Sequence, residues 1–283
     1  ASAVSELFTD NGTDDEMHQV MLVAKSQYAT FKDNVVSRLD NSAVETLKGV
    51  GIDLNKFPGP KVLKLGQQQY AMYDDQVSAG KVNFGGMFSQ IKDKKKTQIK
   101  FLSFEGKELE AAVANRLSYA WTVHNYKLTA FKKKEKAGSK DGKDGKDGKD
   151  GKKIVWPASA DKKGVLGLAR ATTLFKNLVD SPALTVGPAE LAEVAEMVAK
   201  EYGCSPKTHI GVETLCTEGE SLFPQVAAVG MAAAPGREPR VVEWTWGDEG
   251  DREVVIIGKG ITFDTGGLVR SPPFPLFLPP IRG

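Results

Sequence analysis

Residues 131–153, FKKKEKAGSKDGKDGKDGKDGKK, bar this chain from folding around one uninterrupted core. A lysine-rich run leads into four copies of Lys-Asp-Gly, and the stretch holds no apolar residue able to anchor it to a packed interior. Glycine at every third position and charges of alternating sign favour a solvated loop. Glycine at that period is also a collagen trait, but proline is missing here and the run is far too short. The stretch therefore reads as an exposed insertion between two domains, with contact to an acidic partner as the alternative.

Length agrees with a division: 283 residues favour two domains over one. A hydrophobic fraction of 41% and a charged fraction of 26% are ordinary for a globular protein. The net charge of +2 is too small to imply nucleic acid or an anionic membrane as partner. No apolar run approaches the roughly 18 residues of a spanning helix, and the first residues lack the basic start and apolar block of a signal peptide. A soluble, cytoplasmic chain is expected.

Cys204 and Cys216 flank His209 and match neither a C-x-x-C pair nor a zinc-finger spacing. They read as reduced thiols in or near a core. His18, His124 and His209 form no H-E-x-x-H arrangement and read as surface or satisfied core histidines.

Before the insertion, HQVMLVAK, PKVLKL and TQIKFLSFEG carry strand-like patterns, and the stretch from Tyr28 to Asp53 carries a helical one ending in glycines. KELEAAVANRLSYAWTVHNYKL predicts a long helix packed on the sheet. Strands alternating with helices point to a layered α/β domain. No phosphate-binding glycine motif or nucleophile elbow occurs in it, and the glycine pair of NFGGMF reads as a turn. This half supplies a scaffold and no chemistry.

After the insertion, one helix is predicted from about Gly164 to Val179, stopped by Pro182, and a second from Pro188 to Gly203. PKTHIGVE and PRVVEWTW read as strands, with a helix in SLFPQVAAVGMAAA between them. The β-branched run Val254 to Ile257 predicts a strand buried on both faces of a parallel or mixed sheet. Ligands gather beyond the carboxyl ends of such strands, where Lys259 and Asp264 emerge. Asp264 offers a hard oxygen donor to a divalent cation. Lys259 can act as a cationic clamp or, with its proton displaced by a metal, as a neutral nitrogen ligand. Gly258, Gly260, Gly266 and Gly267 allow the backbone to approach a ligand closely.

VVIIGKGITFDTGGL, from Val254 to Leu268, resembles the signature strand and loop of the cytosol leucine aminopeptidase family, the di-metal leucyl aminopeptidases. NLVDSPALTVGPAELAEVA resembles the family's upstream helix, small-residue-Pro turn and Thr-Pro-initiated helix, with Gly187 where threonine is common. AAVGMAAAPGREPRVVEWTW resembles the approach to the metal strand. The resemblance covers residues 164–268 strongly, and before the insertion only the layout and YKLTAFKK.

The resemblance implies a macro-like α/β domain over 1–130, a linker over 131–153 and a peptidase catalytic domain with a mixed sheet over 154–283. It implies an enzyme that releases N-terminal amino acids, leucine preferred, from peptides. Two divalent cations (zinc, manganese or magnesium) bind the substrate's amino group and a bridging water, lower the water's pKa and polarise the scissile carbonyl. It implies a homo-hexamer and no nucleic-acid or membrane partner. Lys259 matches the lysine that ligates one metal, and Asp264 the aspartate that bridges both.

From Val269 the chain departs from this pattern. Ser271, with Arg270 beside it, stands where the family has its catalytic lysine, and the later aspartates and the Asn-Thr-Asp-Ala-Glu-Gly-Arg segment with the bicarbonate-holding arginine have no counterpart. The tail 269–283, VRSPPFPLFLPPIRG, is too rich in proline to continue a sheet or helix. Such a departure fits a shifted reading frame, mis-splicing or a gene-model error, so a C-terminally truncated catalytic domain is expected. Two ligands of the about four or more that a metal pair needs leave the ions mostly hydrated. The expectation is an aminopeptidase-family chain inactive alone, with a non-catalytic binding or oligomer-modulating subunit as the alternative.

Overall fold

The computed structural model describes residues 2–10, 17–49, 51–65, 68–75, 84–91, 98–128, 130–131, 152–216 and 222–262. The chain forms two compact units, Ala1–Asn177 and Leu178–Gly283.

The first unit is built on a six-stranded sheet. Its strands are β1 (Phe8–Thr9), β2 (Met17–Ala24), β3 (Val62–Leu65), β4 (Gln68–Tyr73), β5 (Gln98–Ser103) and β6 (Lys153–Val155), in the order β1-β6-β5-β2-β4-β3. Every pairing is parallel except the edge pair β3–β4. Its helices are α1 (Ser2–Ser5), α2 (Tyr28–Asn34), α3 (Asn41–Gly49), α4 (Gly85–Phe88), α5 (Ala111–His124) and most of α6 (Lys162–Asp180).

Alternation along the strands fills two apolar layers, because successive side chains point to opposite faces. Val20, Leu22 and Ala24 of β2 join Ala71, Ile99 and Phe101 in a layer covered by α4 and by Leu117 and Trp121 of α5. Val23 and Met72 turn the other way and pack with Tyr28 and Phe31 of α2 and with Leu63 and Leu65. A sheet with helices on both faces is the arrangement that a mostly parallel sheet requires. The α4 face is sealed by aromatic contacts: Phe88 meets Trp121 edge-on at 5.0 Å between ring centres, and the Trp121 indole N–H donates to the Leu7 carbonyl at 3.2 Å.

The α/β layering expected from the sequence is therefore present, with differences of detail. Gly85–Phe88 within NFGGMF form a one-turn helix rather than a turn, because Phe84, Met87 and Phe88 all go into the core. The helical pattern after Tyr28 divides into α2 and α3, with a 3-10 turn at Val36–Arg38 between them. Of the expected linker 131–153, only Phe131, Lys152 and Lys153 lie within the described residues. Lys153 already belongs to β6, which inserts between β1 and β5. The segment after β6 is tied to the same unit: the Tyr119 hydroxyl meets Thr172 Oγ1 at 2.9 Å, and Tyr126 donates to Asn177 Oδ1 at 3.0 Å.

The second unit holds the end of α6, then α7 (Pro188–Glu201), β7 (Lys207–Ile210), α8 (Gly211–Leu215), α9 (Pro224–Gly230) and β8 (Arg240–Glu243). The sheet expected to be mixed is, among the described residues, the antiparallel pair β7–β8. PKTHIGVE is strand only to Ile210, where Gly211 at φ 86° turns the chain into α8. Among the described residues no helix is long and apolar enough to cross a membrane.

Candidate functional site

The segment that carries Lys259 passes a framework set by α7. Pro188 opens that helix, where its missing N–H costs nothing. Gly187 has no side chain with which to cap it, but its own N–H donates to Glu190 Oε2 at 2.9 Å, half of a capping box. Glu190's own backbone N–H, followed by that of Gly187, holds the Glu190 carboxyl below its ordinary range. A side chain at 187 would be met by the Arg237 guanidinium, 2.8 Å from the position of a β-carbon. Arg237 spends its donors on the carbonyls of Ala183 and Leu184, at 2.8 and 3.1 Å, and so pins the turn before α7. Glycine at 187 thus makes room for an arginine latch where the family pattern has threonine.

The β7–β8 pair is joined by a side-chain link as well as by its ladder. His209, 5% exposed, has its Nε2 2.7 Å from Glu243 Oε2, and its ring meets Phe223 edge-on at 5.6 Å. His209 is therefore a satisfied core histidine. Cys204 is buried and Cys216 exposed, and neither is bonded to the other. At the end of α9, Gly230 lies where an added β-carbon would sit 2.4 Å from Pro239, so only glycine lets α9 pass this close to the chain entering β8.

Beyond β8 the sequence expectation meets its main correction. Val254, Val255, Ile256 and Ile257 form no strand and are 74, 70, 90 and 91% exposed, where a strand buried on both faces was expected. The reason is physical. A β-branched run prefers extended backbone, but it becomes a strand only when neighbouring strands take up its N–H and C=O groups, and among the described residues none lies beside it.

Lys259 follows in the same exposed segment. The backbone passes α7 at Gly260, whose β-carbon position would lie 2.9 Å from Leu191 Cδ2. Asp264, with Gly266 and Gly267, lies outside the described residues. Among the described residues no group of three or more His, Cys, Asp or Glu side chains could hold a metal ion. Among the described residues the segment offers a metal pair one exposed amine, Lys259, whereas such a pair takes several hard oxygen donors converging at about 2 Å.

A feature that sequence reasoning missed lies on the far part of α7. Val198, Ala199, Tyr202, Cys204, Trp244 and Trp246 line a shallow open groove of about 270 Å³ with no charged side chain in its walls. The signal for it was the Trp-x-Trp spacing in EWTW, which an alternating strand pattern hides.

Residues 173–272 match the catalytic-domain model of the cytosol aminopeptidase family. A probable cytosol aminopeptidase of Rhizobium leguminosarum bv. trifolii is 30% identical over 261 residues, covering 89% of this chain and 47% of that protein. Another, from Nostoc punctiforme, is 37% identical over 103 residues, 36% of this chain and 20% of its own length. The chain thus spans about half the length, or less, of these curated relatives. The crystal structure of the cytosol aminopeptidase from Coxiella burnetii matches with a TM-score of 0.56 at 18% identity, covering 87% of this chain and 47% of that one, a likeness of fold. The similarity runs well past residues 164–268 into the N-terminal unit, and with the catalytic-domain match it establishes that the chain belongs to the cytosol aminopeptidase family.

Proposed function

We propose that this chain contributes to a metal-dependent leucyl aminopeptidase that removes N-terminal residues, leucine preferentially, from peptides in the cytoplasm as a homo-hexamer. The observation that carries the reading is the catalytic-domain match over residues 173–272, which contains both Lys259 and Asp264. Lys259 and Asp264 are two ligands of the metal set, zinc, manganese or magnesium. The functional parts follow the sequence rather than the two compact units: an α/β domain over 1–130, a linker over 131–153 and a partial catalytic domain over 154–283, whose β6 and most of α6 belong to the first unit, with the catalytic-domain match entering the proline-rich tail 269–283 only as far as residue 272.

Lys259 would supply one nitrogen donor and Asp264 one carboxylate, fewer than the about four donors that a metal pair needs. A polypeptide of residues 1–283 is inactive by itself. With manganese and a leucyl chromogenic substrate, the purified polypeptide gives no turnover above a metal blank. Robust manganese-dependent release would show that 1–283 holds a working site.

A second reading is a non-catalytic, oligomer-modulating subunit. It is supported by the exposure of Leu184, Val229, Trp246 and Ile257, each above 79% in the C-terminal unit. Co-purification with full-length family subunits tests it, and failure to co-purify removes it.

A further inference from the structure

We propose that the groove on α7 is a docking site for a polyproline II segment, and that its occupant is the chain's own tail, residues 269–283. The groove has the character such a segment needs. Tyr202 is 68% exposed, Trp244 43% and Trp246 81%, so three aromatic faces are open beside the aliphatic wall of Val198 and Ala199. Flat aromatic faces set in an apolar groove are the usual receptor for proline rings, because a proline-rich segment is already extended and loses little freedom when it docks.

The tail is complementary in kind. Residues 271–281 read SPPFPLFLPPI, with five prolines, no charged residue and a Pro-x-x-P spacing from Pro272 to Pro275. An uncharged segment suits walls that carry no charge, since no ion loses its water on docking. The path is also short enough. Gly260 passes against Leu191, Val198 lies at the i+7 position of the same helix and Tyr202, its C-cap, follows at i+11, on the face that Leu191 presents. At about 1.5 Å per residue those side chains lie roughly 10 to 17 Å further along the helix. The twelve residues from Gly260 to Pro272 can span up to about 37 Å in polyproline II geometry, ample for the distance.

The test uses the full chain labelled with 5-fluorotryptophan, which has only four tryptophans. Replacing Pro272, Pro275, Pro279 and Pro280 with Ala shifts the fluorine resonances of Trp244 and Trp246 and raises their accessibility to acrylamide roughly twofold, as expected when stacked rings are uncovered. Trp121 and Trp156 stay unchanged, which separates undocking from unfolding. A synthetic peptide of residues 269–283, added in excess to the substituted chain, restores the shielded signals. Unchanged Trp244 and Trp246 signals, or no response to the peptide, overturn the proposal. A shielding that disappears on dilution overturns it in favour of the tail of a second copy.

Discussion

The two units of this chain use apolar residues in opposite ways. In the N-terminal unit Phe31, Phe84, Phe101, Leu22, Met72 and Met87 are almost wholly buried, and each β-strand is paired along its length by a neighbour. In the C-terminal unit the buried apolar side chains among the described residues are Ala192, Ala199, Cys204, Leu215 and Ala227, nearly all of them small. Its large ones, Leu184, Val229, Trp246, Ile256 and Ile257, are open. A phenylalanine or methionine core contributes about 1.5–3 kcal/mol per fully buried side chain, and an alanine much less. The first unit is therefore held by its own interior. The second has elements with the right local signals and little interior to bind them.

Substitution at matched sites in the two units separates them most strongly. Phe101→Ala in the first unit should cost about 3–5 kcal/mol, measured by urea unfolding followed by circular dichroism. A cost below ~1 kcal/mol would mean that the two-layer core is not packed as described. Leu215→Ala removes the one large side chain that is wholly buried among the described residues of the second unit and should cost that unit about 2–4 kcal/mol, while the first unit's transition stays in place. A shift of both transitions together would show that the units unfold as one.

A smaller effect follows from His124, which packs between Phe88 and Trp121. Burial lowers its pKa below the ordinary 6.5, so the folded state disfavours the charged ring. The unfolded chain then binds a proton that the folded chain resists. The first unit should lose stability as pH falls through about 6.5, with no such penalty above it. His124→Gln should remove that slope from a pH series of urea midpoints. The smallest effect belongs to Ile256→Lys and Ile257→Lys, each expected within about ±0.5 kcal/mol because both side chains are already in water. Their visible result should be weaker self-association in light scattering.

Much of the first unit was legible in the sequence because its elements are decided locally. β2 and β5 carry strong apolar patterns, and α5 has helical spacing and composition. β4 was missed because Gln68 and Gln69 disguise its start, although Gln69 is buried. β1 and β6 were missed because strands of two and three residues have no period to read, and β6 begins on the last lysine of a basic run. After the insertion, α6 and α7 were legible from their spacing and their proline signals. The run Val254 to Ile257 misled for a different reason. Its pattern suits a strand buried within a sheet, but a strand is a property of neighbours as much as of its own residues. The candidate site was legible only through resemblance. Lys259 and Asp264 alone do not define a metal centre, and the groove on α7 depends on tertiary placement that no local pattern encodes.

The pairing of β1 with β6 also sets an order of events during synthesis. Phe8 aligns with Ile154 and Thr9 with Val155, so the first strand of the chain finds its partner only after the whole 131–153 stretch has been made. At roughly 5–20 residues per second, a ribosome holds that strand without its partner for on the order of ten seconds. For the last part of that interval, about 2.5–10 seconds while the residues between β5 and β6 are added, the edge of β5 that β6 will occupy stays open as well. The nascent chain therefore carries two unpaired edges for longest at the moment when a neighbouring ribosome's product could pair with them, and the lysines that precede β6 reach the scene just before that exposure ends.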